Sequence, residues 1–441
     1  MAVRRGDLRN GDDEMGQTRT MVSLFAGAGG MDIGLENAGW NLLAQIEMDH
    51  DCAETLRIRS QQTESNVRIL ESRIEDVNPS ELMQSLDLRM GDLGLLAGGP
   101  PCQPFTTHGL RRANKDPRAA SLFPSYFRYV AEFRPQSLLI ENVDGMLSAA
   151  LRHRPLSKRG KGFPPLAEDE QKGSFLRWFL EHLRKLGYTV SWGVMEAADF
   201  GVPQLRQRAI LIGVCGDEPC YLPKSTHGRP GLPPYRTLRQ GLKGVRDSSP
   251  VQPLSARKRK VYRLIPPGGN WRNLRIETRK RTMGAAYRAT GGKGGWWRRL
   301  SWDDPAPTVL GMPDHSSTGL IHPGEVRCLS VNECAALQSF PPGTMFTGRP
   351  RSQYQQIGNA VPPALAEHLG RQIMQFLEGF REPTPAPPEW RRASANRRIG
   401  THGWTLPSRR RPSYHLIVKV REDHIWANAA VSVAKLEAFG T

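Results

Sequence analysis

The chain has 441 residues, of which 38% are hydrophobic and 24% are charged, as is ordinary for a globular protein of two or three domains. No apolar run reaches the roughly 18 residues of a membrane span, and the N-terminal segment lacks the apolar core of a signal peptide. The six cysteines lack the paired spacing of a metal site. We therefore expect a cytoplasmic protein with reduced thiols and no metal.

The net charge of +18 is concentrated in two segments. Residues 217–324 contain 20 Lys/Arg against 7 Asp/Glu, a net charge of +13, and residues 381–441 contain 11 against 5, a net charge of +6. The rest of the chain is close to neutral. A neutral body that carries a basic module favours a nucleic-acid partner, although a merely solvated basic face would have the same composition.

Short apolar runs alternate with helical periodicity up to residue 216. Strands are predicted at 21–25, 41–47, 94–98, 137–143, 189–197 and 208–214, and helices at 123–133 and 174–187, with a mobile loop at 151–173. This alternation is typical of an α/β fold with a mostly parallel sheet and helices on both of its faces.

Changes in composition divide the chain. We expect a flexible lead at 1–20, a first domain at 21–216 that is completed by 353–380, an irregular small domain at 217–352, and a basic extension at 381–441. Helical periodicity predicts one long helix over 359–380. The Pro-rich segment "REPTPAPPEW" after it predicts a spacer that separates the extension from the rest.

A glycine turn follows the first predicted strand in "VSLFAGAGGMDIGLENAGW", residues 22–40. Gly27, Gly29 and Gly30 permit a tight turn and close backbone approach at a helix start, where an anionic group is favoured. Glu47 ends the next strand, the usual position of an acid that accepts ribose hydroxyls. The pattern indicates a nucleoside-containing cofactor, unless these are only turn glycines.

Cys102 lies in "GGPPCQPF", directly after a buried strand. Pro100, Pro101 and Pro104 stiffen a turn that cannot continue a sheet. Most lone cysteines are small buried hydrophobes. A thiol on a rigid turn at the carboxyl end of a strand, however, lies where open α/β sheets bind their ligands.

Charged residues occupy two further strand ends. Glu141 ends the strand in "LLIENVDGML", either as a satisfied structural acid or as an active-site group. Arg206 and Arg208 stand two apart at the start of a strand in "FGVPQLRQRAILIG", which directs both to one face. Two guanidiniums there predict bound anions or a lowered thiol pKa.

The motifs together resemble the bacterial-type DNA (cytosine-5)-methyltransferases. The matching segments, in the order typical of that family, are "LFAGAGGMDIGLENAG", "IEMD", "GGPPCQPF", "ENVDGML", "FGVPQLRQRAILIG", "RCLSVNECAALQSFP" and "QIGNAVPPALAEHLG", over roughly 21–214 and 325–378. The resemblance implies a Rossmann-like methyltransferase domain that uses S-adenosyl-L-methionine, and a smaller target-recognition domain. It also implies that the product is 5-methylcytosine at a specific sequence in double-stranded DNA.

The resemblance also assigns residues. Cys102 is the nucleophile, Glu141 contacts N3 and the exocyclic amine of the cytosine, and Arg206 and Arg208 support the cytosine and the thiol. The cofactor pocket is lined by Phe25, Ala26, Gly27, Gly29, Gly30, Glu47, Met48, Leu122 and Asn359.

Three other implications remain expectations. Residues 106–120 are predicted to close over the flipped base, and residues 217–324 to read the sequence. Arg73-Ile74 stands where the family usually has Asp-Ile, so Asp76 or backbone groups are the alternatives for the adenine contact. The chain is expected to be a monomer in a restriction–modification system, with a cognate endonuclease that shares its site.

Three alternatives are weighed against this hypothesis. A tRNA cytosine methylase has the same catalytic residues but usually a shorter, less basic recognition region. A DNA-binding regulator without activity does not explain why all four predicted catalytic residues are present. A thiol hydrolase would leave the glycine turn unexplained and would need a base histidine, which no motif here offers.

Overall fold

The structure, a computed structural model, describes residues 19–101, 117–245, 248–288, 294–381 and 416–418, with backbone alone at 117–121 and 416–418. Across these ranges, no helix is both long enough and apolar enough to cross a membrane.

An eight-stranded sheet organises the larger part of the chain. Its strands are β1 (Thr20–Leu24), β2 (Asn41–Glu47), β3 (Arg68–Glu71), β4 (Leu95–Gly98), β5 (Ser137–Asn142), β6 (Tyr188–Glu196), β8 (Gln207–Cys215) and β10 (Leu416–Val418), in the spatial order β10-β6-β8-β5-β4-β1-β2-β3. The strands from β3 to β5 pair in parallel, and β8 pairs antiparallel with both β5 and β6. The α/β class predicted from the alternating pattern is confirmed.

Helices cover both faces of this sheet. Those of the larger part are α1 (Gly30–Asn37), α2 (His50–Gln62), α3 (Pro79–Ser85), α4 (Pro117–Phe133), α5 (Gly145–Ser148), α6 (Ser174–Lys185) and the late helices α11 (Pro350–Asn359) and α12 (Pro363–Leu377). Side chains alternate between two hydrophobic cores, as the pleat of a strand requires. In β1, Val22 packs in the core that contains Phe127 and Phe179, whereas Met21 packs in the core that contains Leu369.

The first and last helices of the larger part cross in close contact. A Cβ atom at Gly34 would lie 2.1 Å from the carbonyl oxygen of Pro363, so only glycine fits this crossing. Trp40 Nε1 donates to the carbonyl of Gly370 at 3.0 Å. This packing joins the segment after residue 352 to the start of the sheet, in the manner expected of a chain that returns to complete its first domain.

The small domain has little regular structure. Its elements are the two-residue strand β9 (Ala306–Pro307), which pairs in parallel with β7 (Gln204–Leu205) of the first domain, and the helices α7 (Leu238–Gly241), α8 (Ala256–Tyr262), α9 (Ile276–Met283) and α10 (Val331–Leu337). Hydrogen bonds from buried arginine side chains to backbone carbonyls connect its segments in place of the hydrogen bonds between paired strands. Arg299, for example, donates to the carbonyls of Ile265 and Pro323, which are 58 residues apart in sequence.

Two expectations about the C-terminal part were wrong. Residues 359–380 do not form one helix, because α11 ends at Asn359 and α12 begins at Pro363, with the extended residues Ala360 and Pro362 between them. Pro362 and Pro363 lack the amide hydrogens that a continuous helix needs there. The extension beyond 381 is not wholly separate either, because β10 adds to the sheet beside β6.

Candidate functional site

Loops gather at the carboxyl edge of the parallel strands. The chain leaves β1 toward β2 on one side, and the neighbouring strand β4 leads toward β5 on the other side. Such a reversal opens a crevice between the loops that follow the two strands, and ligands of α/β sheets bind there. The crevice is bordered by residues 25–29 after β1 and residues 99–101 after β4.

The glycine turn after β1 has the left-handed backbone that its sequence predicts. Phe25, Gly27 and Gly29 have φ values of 56°, 56° and 75°, and α1 starts immediately afterwards. Among the residues that the structure describes, no atom lies within 4 Å of the position a Cβ would occupy at Gly27, so they leave this side of the turn open. Glycine is needed at position 30 for a different reason, because a Cβ there would lie 2.6 Å from the carbonyl oxygen of Val361.

Glu47 connects this turn to the loop after β2. One carboxylate oxygen accepts from the amide of Gly27 at 2.8 Å, and the other accepts from the amide of Asp49 at 2.8 Å. Burial raises the pKa of Glu47, and the backbone hydrogen bonds oppose that shift. The neighbouring Met48 side chain is 61% exposed. The structure thus brings together the glycine turn and Glu47, which the sequence separates by twenty positions.

The remaining cofactor candidates lie on two other elements. Ala26 donates its amide to the carbonyl of Ile46 at 3.1 Å, which holds the turn against β2. Asn359 is exposed at the end of α11, and the residue after it, Ala360, lies beside Gly30. Leu122 is half-buried in α4, where it packs on the hydrophobic core.

Glu141 and Arg208 form an ion pair inside the protein. Arg208 Nε lies 2.7 Å from Glu141 Oε1, and both side chains are nearly buried. Burial raises the pKa of Glu141, while the charges of Arg208 and Arg206 act in the opposite direction. Both guanidiniums therefore act on this carboxyl group, a partner that the sequence analysis did not assign to them.

Arg206 has a second set of partners that the sequence did not indicate. It precedes β8 rather than lying in it, and its side chain is fully buried. Its guanidinium donates to the carbonyls of Val309 at 3.1 Å, Gly358 at 2.8 Å and Ala360 at 2.8 Å. Since Gly358 and Ala360 flank Asn359, this arginine fixes the segment that presents a predicted cofactor contact.

The residues before Cys102 are held against the end of β5. A Cβ at Gly99 would lie 3.2 Å from Glu141 Oε2, and Asn142 Nδ2 donates to the carbonyl of Pro100 at 2.9 Å. Cys102 lies outside the described residues, as do residues 106–116 of the predicted lid. Sequence reasoning did not assign a role to Asn142, although its position at a strand end beside Glu141 was a usable signal.

A buried acid beneath the glycine turn was also missed. Asp32 is fully buried, and Gln45 Nε2 donates to its Oδ2 at 2.6 Å. Burial raises its pKa to about 6. The signal in the sequence was an acid in the first turn of an otherwise apolar helix.

At the predicted adenine position, Arg73 is engaged with a neighbour. Its Nη2 lies 2.8 Å from Glu75 Oε1, while Ile74 is buried and Asp76 is exposed. Where the family usually has the aspartate of Asp-Ile, this chain therefore has an arginine that forms an ion pair with Glu75.

The small domain presents basic side chains near aromatic rings. Arg272 and Arg279 lie over the ring of Trp271, at 4.9 Å and 5.6 Å from its centroid. Trp297 is buried in the core of the domain. The tryptophans of this domain thus include a core residue as well as a ring that stacks with arginines.

Comparisons with known proteins agree on one family. The family model for C-5 cytosine-specific DNA methylase matches residues 19–375. Similar proteins include the type II methyltransferase M.Sau96I of Staphylococcus aureus, with 33% identity over 81% of this chain and 76% of that protein, and M.PspPI of a Psychrobacter species, with 34% identity over 82% and 81%. The structure of S. pombe Dnmt2 methyltransferase has a similar fold, with a TM-score of 0.51, 15% identity, and coverage of 82% of this chain and 99% of that one.

Proposed function

Because the chain belongs to the C-5 cytosine-specific DNA methylase family and is a DNA (cytosine-5-)-methyltransferase, we propose that it modifies a flipped-out cytosine at a specific sequence in double-stranded DNA through a covalent bond to Cys102. One observation carries this proposal: the buried Glu141–Arg208 pair lies against Gly99, three residues before that cysteine. The pair and the thiol's turn are therefore within reach of the same base.

We propose S-adenosyl-L-methionine as the cofactor, held between the glycine turn and Glu47. The open space at Gly27 leaves room for a ligand beside the backbone, and the Glu47 carboxylate retains lone pairs for ribose hydroxyls. Exposed Met48 and Asn359 lie on the loops next to this turn. When bound, this cofactor supplies an electrophilic methyl group, which is attached to its positively charged sulfonium sulfur.

Cys102 activates the base. Carbon 5 of cytosine is a weak nucleophile, and addition of the Cys102 thiolate to carbon 6 makes the ring an enamine with electron density at carbon 5. Because the thiolate is the competent form, a thiol with an ordinary pKa of about 8.5 needs a nearby positive charge. We assign this role to Arg208, the partner of Glu141 at this edge of the sheet.

Glu141 neutralises the charge that develops during this addition. As sulfur attacks carbon 6, the electron pair moves onto N3, and a protonated Glu141 donates to that nitrogen. Burial raises its pKa and so favours the protonated form. After methylation, the proton at carbon 5 is lost to solvent. Elimination of the thiolate from carbon 6 then returns the N3 proton to the Glu141 carboxylate, restores the aromatic ring and frees Cys102.

The base must leave the duplex for this chemistry, at a cost of a few kcal/mol. We propose that residues 106–120 close over the flipped cytosine and that residues 217–324 read the sequence around it. We further propose a cytoplasmic monomer that protects host DNA in a restriction–modification system, with an endonuclease that shares the site without contacting the enzyme.

A duplex with 5-fluorocytosine at the target tests the covalent step. The site is first mapped by bisulfite sequencing of DNA from an expressing host. The fluorinated duplex should trap a denaturation-resistant complex when cofactor is present, because fluorine at carbon 5 cannot leave as a proton. Cys102→Ser should lose both trapping and methylation.

Cys215→Ser is the matched control, since Cys215 is exposed at the end of β8 and distant from the carboxyl edge. It should trap the duplex like the wild type. An adduct that persists in Cys102→Ser would refute the assignment of the nucleophile.

A further inference from the structure

The loop at 149–173 leaves the sheet beside the proposed active site. It connects α5, directly after β5, to the start of α6, and α6 returns to β6. Strands β5 and β6 run in the same direction, because each pairs antiparallel with β8. The loop therefore lies at the carboxyl edge of the sheet, the edge at which β5 ends with Glu141.

Two arginines hold the base of this loop. Arg152 donates from Nε to Asp169 Oδ2 at 2.7 Å and from Nη2 to Asp169 Oδ1 at 3.1 Å. Arg154 pairs with buried Glu170 and donates to the carbonyl of Pro164 at 2.6 Å. Bidentate pairs of this kind are geometrically specific, so the base presents the rest of the loop in a defined position.

The tip of the loop, residues 155–163, has an unusual surface. It contains Lys158, Arg159 and Lys161 but no acidic residue. Leu156 is 73% exposed and Phe163 is 46% exposed. Large apolar side chains beside cations that pair with no acid among the described residues are more typical of an interaction site than of an ordinary solvated surface.

Two glycines in the tip leave its backbone accessible. Gly160 and Gly162 have φ values of 94° and 89°, and no atom of the described residues lies within 4 Å of the position a Cβ would take at either. A bulky partner can therefore approach the main chain there without meeting a side chain.

We infer that this tip, residues 155–163, contacts the DNA duplex next to the target cytosine. Lys158 and Lys161 neutralise backbone phosphates, and Leu156 and Phe163 pack on the sugar or base surface exposed when the cytosine leaves the stack. Charge complementarity with a polyanion and the shared edge with Glu141 select DNA over a protein or lipid partner. The inference rests on the proposed function, because it presumes a duplex seated at that edge.

The double variant Lys158→Ala/Lys161→Ala tests the ionic part. Loss of two phosphate contacts should raise the Kd for the mapped duplex about tenfold at physiological salt. It should also reduce the slope of log K against log salt by about 1.8. Fluorescence anisotropy titrations at several salt concentrations give both quantities.

The matched control is Arg68→Ala/Lys185→Ala, which removes the same charge from exposed side chains at the opposite edge of the sheet. Its salt slope should equal that of the wild type. Equal slopes in both double variants would overturn the inference. Failure of the proposed function would look different, since the wild type itself would then leave no methyl mark in bisulfite sequencing.

The variant Leu156→Ser/Phe163→Ser tests the apolar part. It should raise the Kd several-fold with an unchanged salt slope, because no phosphate contact is lost. An unchanged Kd would restrict the contact to the lysines and overturn the packing assigned to these two side chains.

Discussion

The sheet domain and the small domain achieve order by different means. In the sheet, alternating side chains fill two cores, and the groups proposed for chemistry lie at strand ends, since Glu47 is the last residue of β2 and Glu141 the last but one of β5. In the small domain, short helices and two-residue strands are joined by side chains that bind distant carbonyls, as Arg299 does. Repeated backbone hydrogen bonds hold the sheet domain together, whereas hydrogen bonds from individual side chains hold the small domain together.

Because of this difference, the two domains tolerate amino-acid substitutions in different ways. A strand end keeps its position when surface residues around it change, since the backbone ladder holds it. A loop-rich domain can present new side chains whenever its few internal anchors are kept. This suits a division in which the sheet performs chemistry and the small domain chooses the sequence.

The largest expected effect concerns the sheet domain. Glu141→Gln should reduce single-turnover methylation by about 10²–10⁴-fold, because an amide keeps the shape but cannot transfer a proton to N3. In the wild type, the rate should fall as pH rises through the raised pKa of Glu141, since only the protonated acid donates. The variant should lack this alkaline decline. Glu168→Gln, an exposed acid, is the control.

An unaltered alkaline decline in Glu141→Gln would assign the titration to another group. A rate near that of the wild type would remove Glu141 from the chemistry altogether.

Arg206 and Arg208 allow a sharper comparison of the two regions. Arg208 pairs with a residue of the sheet, whereas Arg206 binds carbonyls at the junction of the two domains. Arg206→Lys should lower the free energy of unfolding by about 3 kcal/mol, because several buried carbonyls lose their donor. Arg208→Lys should change that free energy by less than about 1 kcal/mol and reduce turnover about tenfold instead, since it alters the partner of Glu141. Urea unfolding and single-turnover rates distinguish the two.

The reverse pattern, with Arg208 controlling stability and Arg206 controlling turnover, would contradict the roles we assign from their partners. Cofactor affinity adds a third readout, because displacement of Asn359 in Arg206→Lys should weaken cofactor binding without altering the DNA sequence that is methylated.

The smallest effect on catalysis should follow removal of residues 382–441. Turnover at saturating DNA should stay within about twofold and the site should not change, while the salt slope becomes shallower because basic residues are lost. Loss of β10 also uncovers β6 at Val190–Trp192 and should promote association between copies, measured by light scattering. The full-length variant Ile417→Pro, which blocks pairing at the same charge, should show the association alone.

Prediction from the sequence also succeeded in the sheet domain and failed for the contacts between domains. The strands and the acids at their ends were predictable, because Glu47 and Glu141 terminate clear apolar runs. Partners across domains were not. Nothing local to Arg206 indicates the carbonyls of Val309 and Gly358, more than a hundred residues away. The break before Pro363 was missed because the apolar periodicity continues through it.

The crossing of the first and last helices has a consequence for the order of folding during synthesis. The contact between Trp40 and Gly370 spans 330 positions, and the small domain lies wholly within that span. While the ribosome is still making residues before 363, one face of the sheet lacks part of its cover, and the apolar residues that will meet α12 remain exposed to solvent. Closing so long a loop carries an entropic cost that grows only slowly with its length. A replacement small domain of another size should therefore be accepted, provided that it folds by itself and brings its two ends together before the last helix arrives.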